Sequence, residues 1–164
     1  MPVLYCAMYI AAIGIAFNFI GNAYPRERFR ADRFPYRAAR WEQGGKIYRK
    51  IGVQHWKDYL PDMSKIVPNM YRKEIVSFPD QGRLARLIQE ACVAECVHWQ
   101  LMLFSAPVIW ICPGPGGWII WGACILGNLV FVIIQRYNRP RLYRALQRMQ
   151  RQAAAINDLP AESE

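Results

Sequence analysis

Two ionisable side chains, Glu95 and His98, lie in a mostly apolar run that extends from about residue 91 to residue 112. They are three residues apart, so on a helix they share one face. An ionisable group inside a membrane costs roughly 2.5–3.5 kcal/mol on insertion scales, and proteins usually retain such a group for function. The pair can do acid–base chemistry. His98 would take a proton from a hydroxyl, and Glu95 would orient the imidazole and stabilise its charged form.

A structural role for Glu95 is the alternative to this hypothesis. Its carboxyl group could be neutral, or it could pair with an arginine at the membrane boundary and hold helices together. Arg139, beside Pro140 at the end of the third apolar run, could be that partner, or it could face a substrate carboxylate or phosphate. Asn138 could cap a last helix after Pro140. We include Asn138 and Arg139 among the predicted substrate contacts.

Basic residues before residue 60 form a second group of candidates. Lys46, Arg49 and Lys50 could bind the phosphates of a charged donor, and contact with anionic lipid explains them equally well. Gly44 and Gly45 precede the lysine, but the first glycine of a phosphate loop and the Ser or Thr after the lysine are missing. We therefore predict no nucleoside triphosphate site.

His55 and Asp62 are two further predicted substrate contacts. The fifth residue after His55 is Leu60, so the histidine–aspartate motif of the soluble-facing glycerolipid acyltransferases is absent. Contact with lipid headgroups is the simpler explanation of His55.

No metal or organic cofactor is predicted. Cys92, Cys96 and His98 would supply only three soft ligands, and their spacing matches no common structural zinc site.

We expect these candidates to lie on or beside membrane-spanning helices, because the charged residues are concentrated outside two long apolar segments of the chain. The protein has 164 residues and a net charge of +9, and yet 54% of its residues are hydrophobic. All 21 Lys and Arg residues lie outside segments 1–25 and 91–135. A soluble domain spreads its charges over every amphipathic element, whereas apolar runs of bilayer length predict an all-α integral membrane protein. The same segregation argues against a nucleic-acid partner.

Three transmembrane helices are predicted, at about residues 3–23, 91–112 and 118–135, with a tight turn at 113–117. No Lys or Arg precedes the first run, which favours a retained helix over a signal peptide. The basic segments 24–90 and 136–157 are predicted to be cytoplasmic or interfacial, where they would meet anionic lipids. This places the N-terminus outside and the C-terminus in the cytoplasm of a bacterial plasma membrane.

Apolar residues at three-to-four spacing predict interfacial amphipathic helices within 55–72 and 142–156. Residues 1–157 are predicted to form a single membrane domain, and residues 158–164 a flexible tail.

Three blocks of sequence resemble the glycosyl-4,4′-diaponeurosporenoate acyltransferase family: 46–62 (KIYRKIGVQHWKDYLPD), 90–99 (EACVAECVHW) and 137–142 (YNRPRL). The resemblance covers roughly residues 40–145. The family is bacterial and membrane-bound, and its named member esterifies the glucose of a glycosylated carotenoid with a fatty acyl chain in staphyloxanthin synthesis. The resemblance therefore implies acyl transfer to a hydroxyl of a sugar-bearing lipid. An acyl donor such as acyl-CoA would be the cosubstrate and a lipid the acceptor.

Two other functions remain open at this point. The chain could be a non-catalytic membrane subunit or scaffold. It could also be a membrane methyltransferase of the isoprenylcysteine type, which ends in a similar basic Asn-Arg region and would need S-adenosylmethionine.

Overall fold

A computed structural model describes residues 1–60 and 80–157, and within these two ranges the chain forms helices and turns and no strand. The α-helices are α1 Pro2–Ala23, α2 Ile47–Lys50, α3 Val53–Trp56, α4 Gln81–Phe104, α5 Val108–Ile111 and α6 Pro115–Asn157. Short 3-10 helices cover Arg26–Arg28, Arg40–Gly45 and Lys57–Tyr59. The prediction of an all-α protein is confirmed. Asp62, most of the predicted stripe at 55–72 and the tail 158–164 lie outside the described residues.

Three helical stretches are long and apolar enough to cross a membrane: Pro2–Ala23, Gln81–Ile111 and Pro115–Ala155. They correspond to the three predicted runs. Ser77, Pro79 and Asp80 offer a helix start in the sequence, and α4 begins at Gln81, about ten residues before the predicted crossing. A turn at residues 105–107 separates α4 from α5. The turn has a local cause, because the proline ring of Pro107 disfavours helical geometry in the residue that precedes it.

The third stretch differs most from the prediction. Asn138 and Pro140 were expected to separate the third crossing from a last helix, but α6 runs through both as one helix of 43 residues. Asn138 is therefore inside a helix, and the prediction that it caps one is wrong. Pro140 removes one backbone hydrogen bond. Tertiary contacts on both sides of it, described below, offset that loss.

The long helices pack antiparallel. The Tyr9 hydroxyl in α1 donates to the Phe104 carbonyl oxygen in α4 over 2.8 Å, and the Phe17 and Phe104 ring centroids are 5.2 Å apart. Farther along α1, a Cβ on Gly21 would lie only 2.8 Å from Cγ2 of Val97, so a glycine allows the helices to approach closely here.

Arg26 joins the basic end of α1 to α4. The side chain is 8% exposed, and its guanidinium forks the Glu90 carboxylate with N–O distances of 3.0 and 3.2 Å. Its Nη1 also donates to the carbonyl oxygens of Gly21 and Tyr24, at 2.8 and 2.6 Å. These bonds satisfy carbonyl groups that the end of a helix leaves without partners.

Candidate functional site

Glu95 lies between α4 and α6 with only 1% of its surface exposed. Its Oε1 accepts a hydrogen bond from Nε of Arg136 over 2.8 Å, and its Oε2 accepts one from Nη1 of Arg139. Arg139 is itself 2% exposed. Of the two roles that the sequence left open for Arg139, the structure shows the pairing with Glu95. Because α4 and α6 pack antiparallel, Glu95 in the second apolar run lies opposite Arg136 and Arg139, which follow the third apolar run.

A second buried carboxylate, Glu42, was not predicted. It is 1% exposed and accepts hydrogen bonds from the Tyr48 hydroxyl, from the Ala39 N–H at 2.6 Å and from Nη1 of Arg136 at 2.8 Å. Arg136 thus bridges Glu42 and Glu95. The only signal in the sequence was an acidic residue within a strongly basic segment, and that signal does not distinguish Glu42 from the exposed Glu27.

We call Glu42, Glu95, Arg136 and Arg139 the buried charge cluster. Its two carboxylates and two guanidinium groups sum to zero charge, as a buried ionic group requires. Burial raises the pKa of the Glu42 carboxyl, but hydrogen bonds from Tyr48 and Arg136 outweigh it and hold that pKa below its ordinary value. Glu42 is therefore ionised at neutral pH.

The cluster also holds the connection that follows α1. Nη2 of Arg136 donates to the Pro35 carbonyl oxygen over 2.9 Å, and Nη2 of Arg139 donates to that of Tyr36 over 2.5 Å. The Arg139 guanidinium lies 5.6 Å from the centre of the Tyr36 ring. Four segments of the chain meet at these two arginines, so the cluster fixes their arrangement.

His98 lies about one turn farther along α4, with a polar partner on α6. Its Nδ1 is 2.9 Å from Oδ1 of Asn128, and its ring stacks on Phe131 with centroids 4.8 Å apart and planes 6° apart. Nδ2 of Asn128 donates to the Cys124 carbonyl oxygen over 2.9 Å. That bond requires the amide nitrogen, so the amide oxygen faces His98 and Nδ1 must carry the proton. In the neutral imidazole, Nε2 then carries the lone pair that a general base uses.

Orientation of the imidazole was predicted to come from Glu95, but in this geometry Asn128 does it. Both Glu95 oxygens are bound by arginines, and the hydrogen bond at Nδ1 of His98 is made with Asn128. Two guanidinium groups are stronger partners for a buried carboxylate than a neutral imidazole. From sequence alone, Asn128 is a polar residue in an apolar run, and most such residues hydrogen-bond between helices.

Two of the predicted phosphate-binding residues, Lys46 and Arg49, line one cleft of about 330 Å³ at the basic end of α6. We call this cleft the basic cleft, and its lining residues are Gly45, Lys46, Arg49, Gln54, Tyr137, Arg141 and Arg144. Lys50 is exposed and does not line the basic cleft. The exposed His55 lines neither the basic cleft nor the neighbouring one.

A neighbouring cleft of about 390 Å³ shares Arg144 with the basic cleft and reaches the buried charge cluster at Arg139. We call it the Tyr36 cleft. Its lining residues are Ala31, Asp32, Tyr36, Arg37, Ala38, Arg139, Pro140, Tyr143 and Arg144.

The Gly44–Gly45 pair, which gave a partial likeness to a phosphate loop, seats the basic segment on α6. Both residues have positive φ, +63° and +88°. A Cβ on Gly45 would lie 3.2 Å from the Tyr137 carbonyl oxygen and 3.4 Å from that of Arg136. The Arg136 carbonyl is the one that Pro140 leaves without its helical partner. The glycines therefore allow backbone to approach backbone where the proline has removed a helical hydrogen bond.

Within residues 1–60 and 80–157, no group of three or more His, Cys, Asp or Glu side chains is placed to hold a metal ion. All five cysteines, Cys6, Cys92, Cys96, Cys112 and Cys124, are free thiols.

Comparison with known proteins gives one consistent result. Residues 32–148 match the family described as glycosyl-4,4′-diaponeurosporenoate acyltransferase. A protein of that name from Staphylococcus aureus strain MRSA252 is 29% identical over 150 residues, which cover 90% of this chain and 89% of the relative. The protein from the bovine strain RF122 / ET3-1 is 28% identical over the same shares of the two chains. No solved structure matches. The matched residues include the buried charge cluster, His98, Asn128, the basic cleft and all of the neighbouring cleft except Ala31.

Proposed function

Because the chain belongs to the glycosyl-4,4′-diaponeurosporenoate acyltransferase family, we propose that it moves a fatty acyl group onto a sugar hydroxyl of a glycosylated carotenoid or another glycolipid. Membership makes the protein an acyltransferase, so it leaves the methyltransferase and the non-catalytic subunit without support. The substrate is inferred from the name of the staphylococcal relatives, which align with nine-tenths of this chain.

The pair of His98 and Asn128 is the observation that carries the mechanism. With the proton held at Nδ1 by Asn128, Nε2 of His98 accepts the proton of the acceptor hydroxyl. The hydroxyl oxygen attacks the acyl carbonyl carbon of a thioester donor. A carbon–oxygen bond forms, the carbon–sulfur bond breaks, and the imidazolium returns its proton to the departing thiolate. The reaction needs no redox partner, and acyl-CoA is the donor that we propose.

Glu95 acts as a positioning residue in this proposal. It does not touch the reacting atoms, but its arginine pairs hold α4 against α6 within one turn of the imidazole. The stack of His98 on Phe131 and its bond to Asn128 both depend on that helix pairing. Misplacement of a catalytic group by about 1 Å can cost on the order of 100-fold in rate.

We place the site near the cytoplasmic face of the membrane. The charge cluster and the basic ends of the three crossing helices lie at one end of the bundle, and the positive-inside rule assigns such an end to the cytoplasm. A soluble acyl donor would reach the site from that side.

His98→Ala in the purified protein, reconstituted with acyl-CoA and a glycolipid acceptor, is the direct test. We expect product formation to fall at least about 100-fold, the usual effect of removing a general base. Leu103→Ala is the matched control, because it lies on the same helix with 70% of its surface exposed. Helical circular dichroism establishes that both variants are folded. A folded His98→Ala protein with wild-type activity would overturn the mechanism.

The reaction itself is tested separately by mass spectrometry of lipid extracts from cells with and without the gene. We expect acylated glycolipids to disappear and their free-hydroxyl precursors to accumulate when the gene is absent. Identical extracts would contradict the proposed function.

A further inference from the structure

We propose that the basic cleft binds the phosphate groups of the acyl donor, as a coenzyme A thioester presents them. The inference rests on the proposed function, because it names the donor for the same transfer.

Within residues 1–60 and 80–157, no acidic side chain neutralises the cations of the basic cleft. Lys46, Arg49, Arg141 and Arg144 line it together, and no carboxylate is among the lining residues. In the part of the chain that the structure describes, none of the four forms an ion pair, whereas Arg136 and Arg139 nearby are fully paired with Glu42 and Glu95. Four uncompensated cations in a concave site attract a polyanion much more strongly than a neutral sugar or an acyl chain.

Contacts that leave the positive charge intact hold two of these arginines in place. Arg141 donates to the Tyr137 hydroxyl over 2.7 Å, and its guanidinium lies 4.9 Å from the centre of that ring. Arg144 donates to the Gly44 carbonyl oxygen over 3.2 Å. Side chains that are already ordered lose less entropy when they bind, and guanidinium groups fork phosphate oxygens. The cleft is therefore prepared for phosphate.

Gln54 adds a feature that free phosphate would not explain. Its Oε1 is buried in the lining of the cleft and makes no hydrogen bond with the described residues. A buried acceptor without a partner calls for a donor group, and deprotonated phosphate offers none. The pantetheine arm of coenzyme A carries a hydroxyl and two amide N–H groups close to its diphosphate. A ligand of this class supplies partners for the cations and for Gln54 together.

The position of the cleft suits a donor that reacts deeper in the bundle. Tyr137 follows Asn128 by nine residues, which is roughly 14 Å along the helix axis. The two residues lie on different faces of α6, so the donor must pass around the helix. The Tyr36 cleft shares Arg144 with the basic cleft and extends to Arg139, the partner of Glu95, on the side of α6 that faces α4.

Calorimetric titration of the purified full-length protein in neutral phosphatidylcholine nanodiscs tests the proposal. We expect coenzyme A to bind, dephospho-coenzyme A to bind more weakly, and pantetheine, which has no phosphate, not to bind detectably. Arg141→Gln and Arg49→Gln should each weaken coenzyme A binding about tenfold or more, since each removes a charge-assisted hydrogen-bond donor. Arg151→Gln is the control, because this exposed arginine of the same helix lies outside the cleft.

Two other outcomes would overturn the proposal. Pantetheine binding as tightly as coenzyme A would show that the cations are not used. If coenzyme A fails to bind, but vesicles containing phosphatidylglycerol bind in an Arg141-dependent manner, the cleft serves lipid headgroups instead.

A further pair of measurements separates this inference from the proposed function. His98→Ala should bind coenzyme A normally and form product at least about 100-fold more slowly, whereas Arg141→Gln should raise the KM for acyl-CoA and leave kcat much less affected. If Arg141→Gln loses coenzyme A binding while His98→Ala stays active, the basic cleft is the donor site but His98 is not the general base. If Arg141→Gln binds coenzyme A normally and His98→Ala is inactive, His98 is supported as the base and the basic cleft is not the donor site.

Discussion

Glu95 and its two arginines account for a charge within a largely apolar helix. A carboxylate moved out of water carries a penalty of several kcal/mol, which close ionic partners and hydrogen bonds can offset. Here Arg136 and Arg139 both donate to it, and the Trp99 indole lies 3.4 Å from its Oε1. The penalty returns when one partner is removed, so the cluster is stable only as a complete set.

Glu95→Gln should therefore be strongly destabilising, by about 3–5 kcal/mol, because it leaves two buried guanidinium groups short of negative charge. Thermal unfolding in detergent, followed by circular dichroism, would measure the change. The exposed Glu27→Gln is the matched control. Combining Glu95→Gln with Arg139→Gln should cost less than the sum of the two single changes, since neither partner is then left alone. Simple additivity would show that the pair is not coupled.

Glu42 gives the cluster a dependence on pH. Its folded-state pKa is below the ordinary value near 4.5, so the stability it contributes is complete above that pH and is lost as the pH falls through the folded-state pKa. We expect the unfolding temperature of the wild type to drop steeply below about pH 4.5, where the unfolded carboxyl begins to take up its proton.

Glu42→Gln should show a lower unfolding temperature at neutral pH and a shallower drop in acid. Glu27→Gln should keep the wild-type profile in the same titration. An unchanged acid limb in Glu42→Gln would mean that other groups control the transition.

Asn128 is predicted to act through the imidazole and not only through packing. Asn128→Ala should lower kcat about tenfold or more with little change in KM, because the wrong tautomer of His98 becomes populated. Asn128→Asp keeps an acceptor at Nδ1 and adds a negative charge, which favours the charged imidazole. It should therefore move the acid limb of the pH profile of kcat to higher pH. A loss of protein without any shift of that profile would indicate a structural role alone.

At the scale of elements, the contact between the Gly44–Gly45 turn and α6 holds the basic segment in place. The turn meets the helix where Pro140 has removed a backbone hydrogen bond, and Arg144 donates back to the Gly44 carbonyl oxygen. Pro140, which was expected to end the helix, is thus part of the surface that contacts the turn.

Gly45→Ala should destabilise the protein by about 1–2 kcal/mol through its left-handed backbone alone. The close approach to the Tyr137 carbonyl oxygen adds to that cost. The same unfolding assay applies, with Gly127→Ala as the control, because a Cβ at Gly127 meets nothing within 4 Å. In a helix, that control should match or slightly exceed the wild type. Equal stability of the two variants would contradict a tight turn.

At the scale of the whole molecule, the three crossing helices gather their charged ends on one side. Arg26 and Glu90 tie α1 to α4 there, and Glu95 ties α4 to α6. The other end holds Cys6, Val108 and Cys112 in an apolar cluster. From the positive-inside rule, we expect such an asymmetric bundle to take one orientation in a membrane.

We predict that the N-terminus is outside and the C-terminus inside. A C-terminal green fluorescent protein fusion should fluoresce, and a C-terminal alkaline phosphatase fusion should be inactive. A phosphatase after the turn at residues 113–114 should be active, because that turn would lie outside. The opposite pattern would mean that the topology is reversed and that the basic cleft and the Tyr36 cleft face the outside.

Much of this fold could be predicted because the membrane imposes a simple rule on sequence. Apolar runs of bilayer length must be helices, and the charges between them mark the ends, so three crossings were recognisable from residues alone. The end of the third run was predicted less well, because the continuation of α6 through Pro140 depends on contacts with distant segments. Of the residues that the structure brings together at the candidate site, Glu95, His98, Arg139, Lys46 and Arg49 were singled out from the sequence by type. Glu42 and Asn128 were not, because only packing gives them their partners.

The sequence by itself determined that this is a helical membrane protein with an ionisable pair in its second crossing, since local composition sets the cost of leaving water. Only the tertiary structure decided which side chains bond to each other. Glu95 and His98 share a helix face, and yet Glu95 joins Arg136 and Arg139, whereas His98 bonds to Asn128. These partners are 30 to 44 residues away along the chain. Hydrogen bonds depend on distances of a few tenths of an ångström, which helix packing sets and residue spacing does not.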